Sequence, residues 1–305
     1  MRLVSCVLAA GLLLGASACG GSSEKTAQQP SSPFAYDRSS SLNFADHGRA
    51  NSAYPIAVRD VSYQSGRDRV SAYLVLPQHP RGRLPAAIYL HGSGGDRTQF
   101  VAQAAWLAGR GAIALVLTAP SSTQQAAAST PLDELRREVK LTERDVVAVR
   151  RGVDLLSKRD DVDPKRIGFV GWSAGARTGA VLAGVEPRFR ALVLMSGGAS
   201  PVASYAAAAP QNLRRSITRS LTPVDPLRYV GRSHAALLLQ DGRRDSIVPR
   251  AALEGIVHAA PSGTDVRWYQ AQHGLNVRAY RDQLAWLTQK LRITGPPVTG
   301  AATGP

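Results

Sequence analysis

The sequence is poor in cysteine, in aromatic residues and in acidic residues. Its 305 residues include 2 cysteines, 6% aromatic side chains, and 22 acidic residues against 37 basic ones. Its long apolar run lies at the N-terminus and is itself too short to cross a bilayer, which excludes a polytopic membrane protein. It also lacks an internal repeat, which argues against solenoids and propellers. With 44% apolar side chains, however, the chain can bury a core, so wholesale disorder is excluded.

The shortage of acidic residues leaves a formal net charge of +15. Such a charge raises the possibility of an acidic partner, such as nucleic acid or an anionic surface. The basic residues are scattered in pairs, for example Arg150–Arg151 and Arg243–Arg244, and aromatic residues do not alternate with them. We therefore expect no nucleic-acid partner. Attraction to an anionic envelope surface is the better interpretation, because it needs no specific motif.

The N-terminus has the pattern of an export signal. A basic start is followed by the apolar run Leu3–Leu14 and by small residues that lead to Cys19, which predicts a signal peptide over residues 1–18. The small residues before Cys19 resemble the lipobox of bacterial lipoproteins, in which this cysteine becomes the lipidated first residue. An ordinary signal cleaved near Ala18 is the alternative and predicts a secreted protein. Cys6 would leave with the signal, so no intramolecular disulfide is expected.

Three further segments follow from composition. Residues 19–54 are predicted to be the anchor cysteine and a flexible tether, because the segment begins with Gly, Ser, Gln and Pro without apolar periodicity. Residues 55–292 are predicted to form the folded domain, and residues 293–305 a disordered tail. We accordingly expect the domain from about Tyr54 onward to be soluble and active by itself.

Within the folded domain, short apolar runs alternate with helical patterns. Val58–Tyr63 and Arg69–Leu76 predict a hairpin, while Ala86–Leu90 and Ala112–Leu117 are continuously apolar, as buried strands are. Leu135–Leu156 has apolar residues at helical spacing. This alternation predicts an α/β fold with a mostly parallel sheet covered by helices on both faces. Ligands in such sheets bind beyond the carboxyl ends of the strands.

The strongest chemical signal is the pentapeptide Gly171-Trp172-Ser173-Ala174-Gly175, between a predicted strand and a predicted helix. This is the G-x-S-x-G elbow, which presents a serine nucleophile above the sheet. The serine needs a base and an acid that orients it, in the chain order Ser, acid, His. Of the three later histidines, His234 precedes a strand and His258 lies within a helix. His273 follows the strand Asp265–Tyr269 and is therefore the predicted base.

Two aspartates compete for the role of the acid, in the loop after the predicted strand Ala235–Leu239. Asp241 lies at the end of that strand, where it could cap the turn through local backbone hydrogen bonds. Asp245 lies deeper in the loop, just before the next helix. Position alone favours Asp245 and leaves Asp241 open.

The oxyanion hole needs two backbone N–H groups, one of them from the residue after the nucleophile. Ala174 is that residue. The glycine-rich loop that begins at His91 supplies the second group, for which Ser93 is the first candidate and Gly94 the second. The place of His91 before the glycines suits support of the loop better than base catalysis.

Taken together, these segments resemble the α/β-hydrolase superfamily, in its dienelactone hydrolase-like and prolyl-oligopeptidase-like branch. The resemblance covers about residues 55–292 and rests on four segments. They are His91-Gly92-Ser93-Gly94-Gly95, Asp160 to Gly175, Asp241 to Pro249, and His273-Gly274. It implies an α/β-hydrolase fold with a small possible cap, and it implies that Asp245 is the acid, since members often carry G-x-x-D-x-x-V-P there. Dienelactone hydrolases proper use a cysteine nucleophile where this chain has Ser173, and prolyl-oligopeptidase relatives carry an N-terminal propeller for which this chain has no room.

These features lead us to expect an exported serine ester hydrolase that forms an acyl-enzyme and acts on small or polymeric esters. A serine peptidase or an acyltransferase would use the same residues, and a non-catalytic envelope binding protein on this fold is a third alternative. No cofactor and no metal ion are expected, because no Rossmann, P-loop or metal-ligand pattern is present. The long segments Gly197–Val230 and Ala119–Pro131 could form a cap over the substrate or could be surface connections.

The export signal generates the first testable prediction. Full-length protein should fractionate with membranes and incorporate a radioactive fatty acid, because a lipidated Cys19 anchors the chain. Cys19→Ser should abolish the label. Unlabelled wild-type protein that is released into the medium and begins near Cys19 would indicate secretion instead.

Overall fold

The fold is organised by one nine-stranded sheet. The structure is a computed structural model that describes residues 32–123, 130–198, 202, 206–207 and 209–295. Its strands are β1 (Ala45–Arg49), β2 (Ala57–Ser65), β3 (Asp68–Leu76), β4 (Leu84–Leu90), β5 (Ile113–Leu117), β6 (Val162–Trp172), β7 (Phe189–Met195), β8 (Ala236–Gly242) and β9 (Asp265–Tyr269). Their order across the sheet is β1-β2-β3-β5-β4-β6-β7-β8-β9. The first four strands in this order pair antiparallel, and the pairs from β5 to β9 are parallel.

Seven helices connect or flank these strands in the described residues. They are α1 (Val101–Gly109), α2 (Pro131–Ser157), α3 (Ala174–Val185), α4 (Gln211–Leu221), α5 (Leu227–Val230), α6 (Arg250–Ala259) and α7 (Val277–Lys290). Short 3-10 turns lie at Pro120–Thr123 and Thr222–Val224. This is the expected α/β-hydrolase architecture, so the predicted fold class is confirmed.

Burial on both faces explains why the central strands are continuously apolar. Every residue of β4 and β5 is buried. Residues of α2 and α3 pack on one face of the sheet, and residues of α1 and α7 pack on the other. A strand between two helical layers has no solvent face, so it shows no alternation of polar and apolar residues. The parallel strands therefore direct their carboxyl ends to one edge, where the functional loops collect.

The predicted elements match the observed ones closely, and the largest difference in a strand is at β6. The sequence predicts a strand over Ile167–Val170, whereas β6 begins at Val162. After the buried Val162, residues 163–166 are partly or fully exposed and mostly charged, and Arg166 forms an ion pair with Asp163. A strand end that carries charged side chains leaves no apolar run in the sequence.

The predicted boundary of the folded domain at residue 55 is wrong, because the fold begins about twenty residues earlier. The segment expected to be tether contains β1, which pairs with β2. It also contains Phe34, whose side chain is fully buried and makes an edge-to-face contact with Tyr229. Composition missed this segment because it packs through isolated apolar side chains such as Phe34 and Leu42 rather than through a periodic face.

Hydrogen bonds from arginine side chains of α2 to backbone carbonyl groups hold the same segment in place. Arg150 donates to the Phe34 carbonyl oxygen at 2.7 Å, and Arg151 donates to the Ser40 and Ser41 carbonyl oxygens at 2.8 and 3.0 Å. The guanidinium groups of α2 thus take the place of a strand partner for these carbonyl groups. A domain that begins at Tyr54 would lack this segment and its contacts with α2. We therefore expect such a domain to be less stable than the full fold, in contrast to the prediction from composition.

The segment Gly197–Val230 contains α4 and α5 in its described part. No residue of α4 is buried, and the small residues of α3 allow α5 to pack closely, since the backbone of Tyr229 lies against Gly184. Residues 1–31 and 296–305, which include the predicted signal peptide, Cys19 and most of the predicted tail, lie outside the described residues. In the described residues, no helix combines the length and hydropathy needed to span a bilayer.

The buried N-terminal segment generates a stability prediction. Phe34→Ala should lower the free energy of unfolding by about 3–5 kcal/mol, because it leaves a cavity where an aromatic ring was fully buried. Urea unfolding measures the loss. Phe44→Ala is the matched control, since the Phe44 side chain is exposed and its removal should cost about 0.5 kcal/mol or less. Equal stability of the two variants would contradict the packing of this segment.

Candidate active site

The turn between β6 and α3 places Ser173 in an unusual backbone conformation. Ser173 has φ 55° and ψ −114°, a combination that L-residues rarely adopt. Its N–H still donates to the Met195 carbonyl oxygen at 2.8 Å, as a strand residue would, and α3 begins at the next residue. The chain therefore changes direction within one residue, and the Ser173 hydroxyl stands at the carboxyl edge of the sheet.

Two glycines make this sharp turn possible. A Cβ on Gly171 would lie 2.4 Å from the Gly175 carbonyl oxygen, and a Cβ on Gly175 would lie 2.3 Å from the Leu90 carbonyl oxygen. Both distances are far below van der Waals contact, so no other residue fits at either position. The G-x-S-x-G pattern thus reflects the close packing of the first turn of α3 against the end of β4.

His273 lies beside Ser173 in the loop between β9 and α7. Its Nε2 is 2.9 Å from Ser173 Oγ. The His273 carbonyl oxygen accepts hydrogen bonds from Trp172 Nε1 at 3.0 Å and from Ser196 Oγ at 2.9 Å, and the imidazole packs against the Trp172 ring with centroids 4.9 Å apart. These contacts hold both the backbone and the ring, so the imidazole keeps its position next to the nucleophile.

Asp245 completes a chain of hydrogen bonds. Its Oδ2 is 2.8 Å from His273 Nδ1, and its Oδ1 accepts from the N–H groups of Ile247 and Val248, each at 2.9 Å. The carboxylate is 1% exposed. An acceptor at Nδ1 favours the tautomer in which Nε2 is free to accept the serine proton.

Asp241, the competing candidate, does not contact His273 in the described structure. The sequence suggested that it caps a turn, but it lies within β8, opposite Trp268 of β9. The pKa of the Asp241 carboxyl is raised to about 7, mainly by burial and also by the negative charge of Asp245, while Arg250 opposes the rise. Asp241 is therefore a buried carboxyl of raised pKa, and in the described residues it forms no hydrogen bond with the imidazole.

The loop after β4 leaves two amides available. The Gly92 N–H donates to Gln99 Oε1 at 3.2 Å, and the Gly95 N–H donates to the Gly92 carbonyl oxygen at 3.1 Å. In the described residues, the N–H groups of Ser93 and Gly94 have no acceptor. These are the two amides that the sequence singled out.

The other N–H group predicted for the oxyanion hole belongs to Ala174, which is the first residue of α3. The first N–H groups of a helix have no partner within that helix, and they carry its positive end. Gly92 lies against the side chains of Trp172 and Ser173, so the β4 loop passes directly beside this amide. The arrangement can accept an oxyanion next to Ser173 Oγ.

His91 supports the loop, as predicted. Its Nε2 accepts from the Ala119 N–H at 3.0 Å, and its Nδ1 is 2.6 Å from the Gly92 carbonyl oxygen. Since Nε2 accepts, Nδ1 carries the proton and donates. Burial lowers the pKa of His91, which keeps the ring neutral and suited to these two bonds.

Sequence reasoning missed the residues that position the site. Gln99, Trp172 and Ser196 act through hydrogen bonds to backbone atoms. Trp172 lies within the elbow motif and could have been suspected from it. Gln99 and Ser196 have no sequence signal, because a glutamine in a loop and a serine after a strand are common. In the part of the chain that the structure describes, His234 and His258 form no hydrogen bond with Ser173, Asp245 or His273, and no cluster of potential metal ligands occurs there.

Comparison with known families links the chain to one of them. The sequence model of the Dienelactone hydrolase family matches residues 70–288, which is most of the chain. The matched range includes the elbow, the loop of Asp245 and the loop of His273. No curated protein is similar enough in sequence to serve as a relative.

Several solved structures share the fold at low identity. The acetyl xylan esterase from Paenibacillus sp. R4 has a TM-score of 0.67 and 20% identity, with 82% of this chain and 89% of that chain covered. Acetyl xylan esterase 1 from Thermoanaerobacterium sp. JW/SL YS485 has a TM-score of 0.66 and 17% identity, with coverages of 85% and 91%. An esterase from Pyrococcus furiosus has a TM-score of 0.56 and 17% identity, with coverages of 81% and 99%.

The geometry generates a prediction that separates the two aspartates. Asp245→Asn should lower kcat by roughly 10⁴-fold, because the amide no longer holds the required imidazole tautomer. Asp241→Asn should change kcat by less than about tenfold, since asparagine resembles the protonated carboxyl that burial favours there. Steady-state hydrolysis of a p-nitrophenyl ester measures both. The reverse ranking would transfer the role of the acid to Asp241.

Proposed function

The chain belongs to the dienelactone hydrolase family and is a hydrolase that acts on ester bonds; we propose that it is a serine carboxylesterase with the triad Ser173, His273 and Asp245. One observation carries the proposal. A continuous line of hydrogen bonds runs from Ser173 Oγ through His273 to Asp245, with lengths of 2.9 and 2.8 Å. This is the arrangement that a serine nucleophile requires, because the hydroxyl is a weak nucleophile without a base that is itself oriented.

Acylation is the first half of the proposed reaction. Ser173 Oγ attacks the carbonyl carbon of the ester while His273 Nε2 takes the hydroxyl proton. The carbonyl oxygen becomes an oxyanion that accepts hydrogen bonds from the N–H groups of Ser93 and Ala174. The intermediate then expels the alcohol, which receives the proton from His273, and the acyl group remains as an ester of Ser173.

Water completes the reaction. His273 removes a proton from the water as it attacks the acyl-enzyme, and the same two amides stabilise the second oxyanion. Collapse returns the proton to Ser173 Oγ and releases the carboxylic acid. The sum is ester plus water to acid plus alcohol, and no cofactor enters any step.

The seryl nucleophile supports an ester substrate other than a dienelactone, because dienelactone hydrolases proper use cysteine. The fold is shared with acetyl xylan esterases, so acyl esters of small molecules or of polymers are the substrates to test. A serine peptidase or an acyltransferase would use the same triad. Paired ester and amide substrates with one acyl group distinguish these activities.

We also propose that the protein is exported and anchored to the bacterial cell envelope through Cys19. The support comes from the sequence, in which an apolar run leads to small residues and one cysteine. The formal charge of +15 is compatible with attraction to an anionic envelope surface.

The proposed chemistry is tested by removing the nucleophile. Ser173→Ala should lower kcat by roughly 10⁴- to 10⁶-fold on p-nitrophenyl esters of graded chain length. A fluorophosphonate should label wild-type Ser173, detected by peptide mass, and should not label the variant. Thermal unfolding of both proteins controls for loss of structure. Wild-type activity in the variant would refute the assignment.

A further inference from the structure

A cavity of about 540 Å³ opens next to the proposed oxyanion hole. Ser93, Gly94 and Ala174 form one wall. Residues of α2 also line the cavity, as do Leu221 and Val224 of the insertion between β7 and β8. The segment Gly197–Val230 was expected to be either a cap or a surface connection. Through Leu221 and Val224 it helps to enclose a space beside the proposed nucleophile.

The position of the cavity indicates which part of an ester it receives. The leaving alcohol must lie next to His273 Nε2, because that nitrogen donates its proton. Neither Ser173 nor His273 is part of the cavity wall, whereas Ser93 and Ala174, which carry the proposed oxyanion amides, are. The cavity therefore extends from the reacting carbonyl on the side away from the histidine. That is the side on which the acyl group lies.

A buried carboxylate lines this cavity. Asp145 of α2 is 8% exposed, and its Oδ1 accepts a hydrogen bond from the Ser121 N–H at 2.9 Å. In the described residues it forms no ion pair, because its neighbour Arg144 binds Asp68 instead. A buried carboxylate without a cation is costly unless a partner arrives. Burial raises the pKa of Asp145 to about 6, with Arg144 opposing the rise and Asp68 adding to it.

Among the other charged residues of the cavity wall, acidic side chains outnumber basic ones. Glu138 and Asp225 form no ion pair in the described residues, and Glu134 is paired with Arg137. Arg177, which is exposed, is the opposing cation of the wall. Three unpaired carboxylates against one guanidinium make this cavity acidic in a chain whose net charge is +15. A carboxylate-bearing acyl group would meet repulsion here, and an ammonium group would meet attraction.

We propose that this cavity binds the acyl group of the substrate and selects acyl groups that carry a positively charged amine, which pairs with Asp145. The proposal rests on the esterase function proposed above. Asp145 acts here as a specificity residue and takes no part in bond making. The ammonium group supplies the cation that the buried carboxylate lacks, and the hydrogen bond from the Ser121 N–H holds that carboxylate in place.

Three esters with one leaving group test the selection. They are p-nitrophenyl 6-aminohexanoate, p-nitrophenyl hexanoate and the mono-p-nitrophenyl ester of adipic acid, which carry a positive, a neutral and a negative acyl end. After correction for spontaneous hydrolysis, kcat/KM should be about tenfold higher for the amine than for hexanoate, and lowest for adipate. The preference for the amine should grow as the pH rises through the pKa of Asp145.

Two variants of α2 test whether the preference for the amine substrate depends on Asp145. Asp145→Asn keeps an acceptor for the Ser121 N–H but removes the charge, so the ratio of amine to hexanoate should fall to about one. Glu143→Gln is the matched control, since it removes a carboxylate from the same helix outside the cavity wall, and it should keep the wild-type ratio.

The outcomes that overturn the proposal are specific. Equal or faster hydrolysis of hexanoate, a preference for adipate, or an unchanged ratio in Asp145→Asn would each refute it. If no ester is hydrolysed, the esterase function fails, and binding then decides the inference separately. Calorimetry on Ser173→Ala should show hexylamine binding more tightly than hexanol, and this difference should vanish when Asp145→Asn is added. Equal binding of the two ligands would refute the proposal.

Discussion

The first turn of α3 packs directly against the carbonyl groups at the end of β4. The contact is made by Gly175, because a side chain at this position would collide with the carbonyl oxygens of Leu90 and His91. This contact forces Ser173 into its left-handed conformation, because the chain has to turn from strand to helix without moving away from β4. It also brings the loop of Ser93 alongside the amino end of α3. Ser173, the proposed oxyanion amides and the mouth of the cavity therefore all depend on the close approach of the α3 backbone to the β4 backbone.

The acidic residues near the site differ in role because they differ in partners. Asp245 accepts hydrogen bonds from two backbone N–H groups and lies within hydrogen-bond distance of the His273 imidazole. Asp241 and Asp145 are equally buried without a cation, and the pKa of each is raised. One buried carboxyl is thus placed to orient the proposed base, the second has a raised pKa and no bond to the imidazole, and the third lies in a cavity where a ligand can reach it. Chemical identity alone does not distinguish these three residues.

The sequence predicts the catalytic centre better than its surroundings. The elbow glycines and the apolar strands are visible in the sequence because each position excludes most other residues. The choice of Asp245 over Asp241 needed a family pattern, since both follow the same strand and only the path of the loop shows which one reaches His273. The folded segment around Phe34 escaped notice because arginines of α2 bind its carbonyl groups, and such contacts leave no periodicity. The acidic cavity was equally invisible, as it forms only when the insertion covers α2.

The arginine contacts of the N-terminal segment also determine how a force would travel through the domain. Tension on the chain before Pro33 would first load the hydrogen bonds from Arg150 and Arg151 and then the buried ring of Phe34. These bonds end on α2, which Asp154 links to Arg188 after α3 through an ion pair of 2.6 Å. The load thus spreads from α2 to the turn between α3 and β7, and none of the loaded groups belongs to the proposed triad. A domain held at this end can be pulled without disturbing the geometry around its nucleophile.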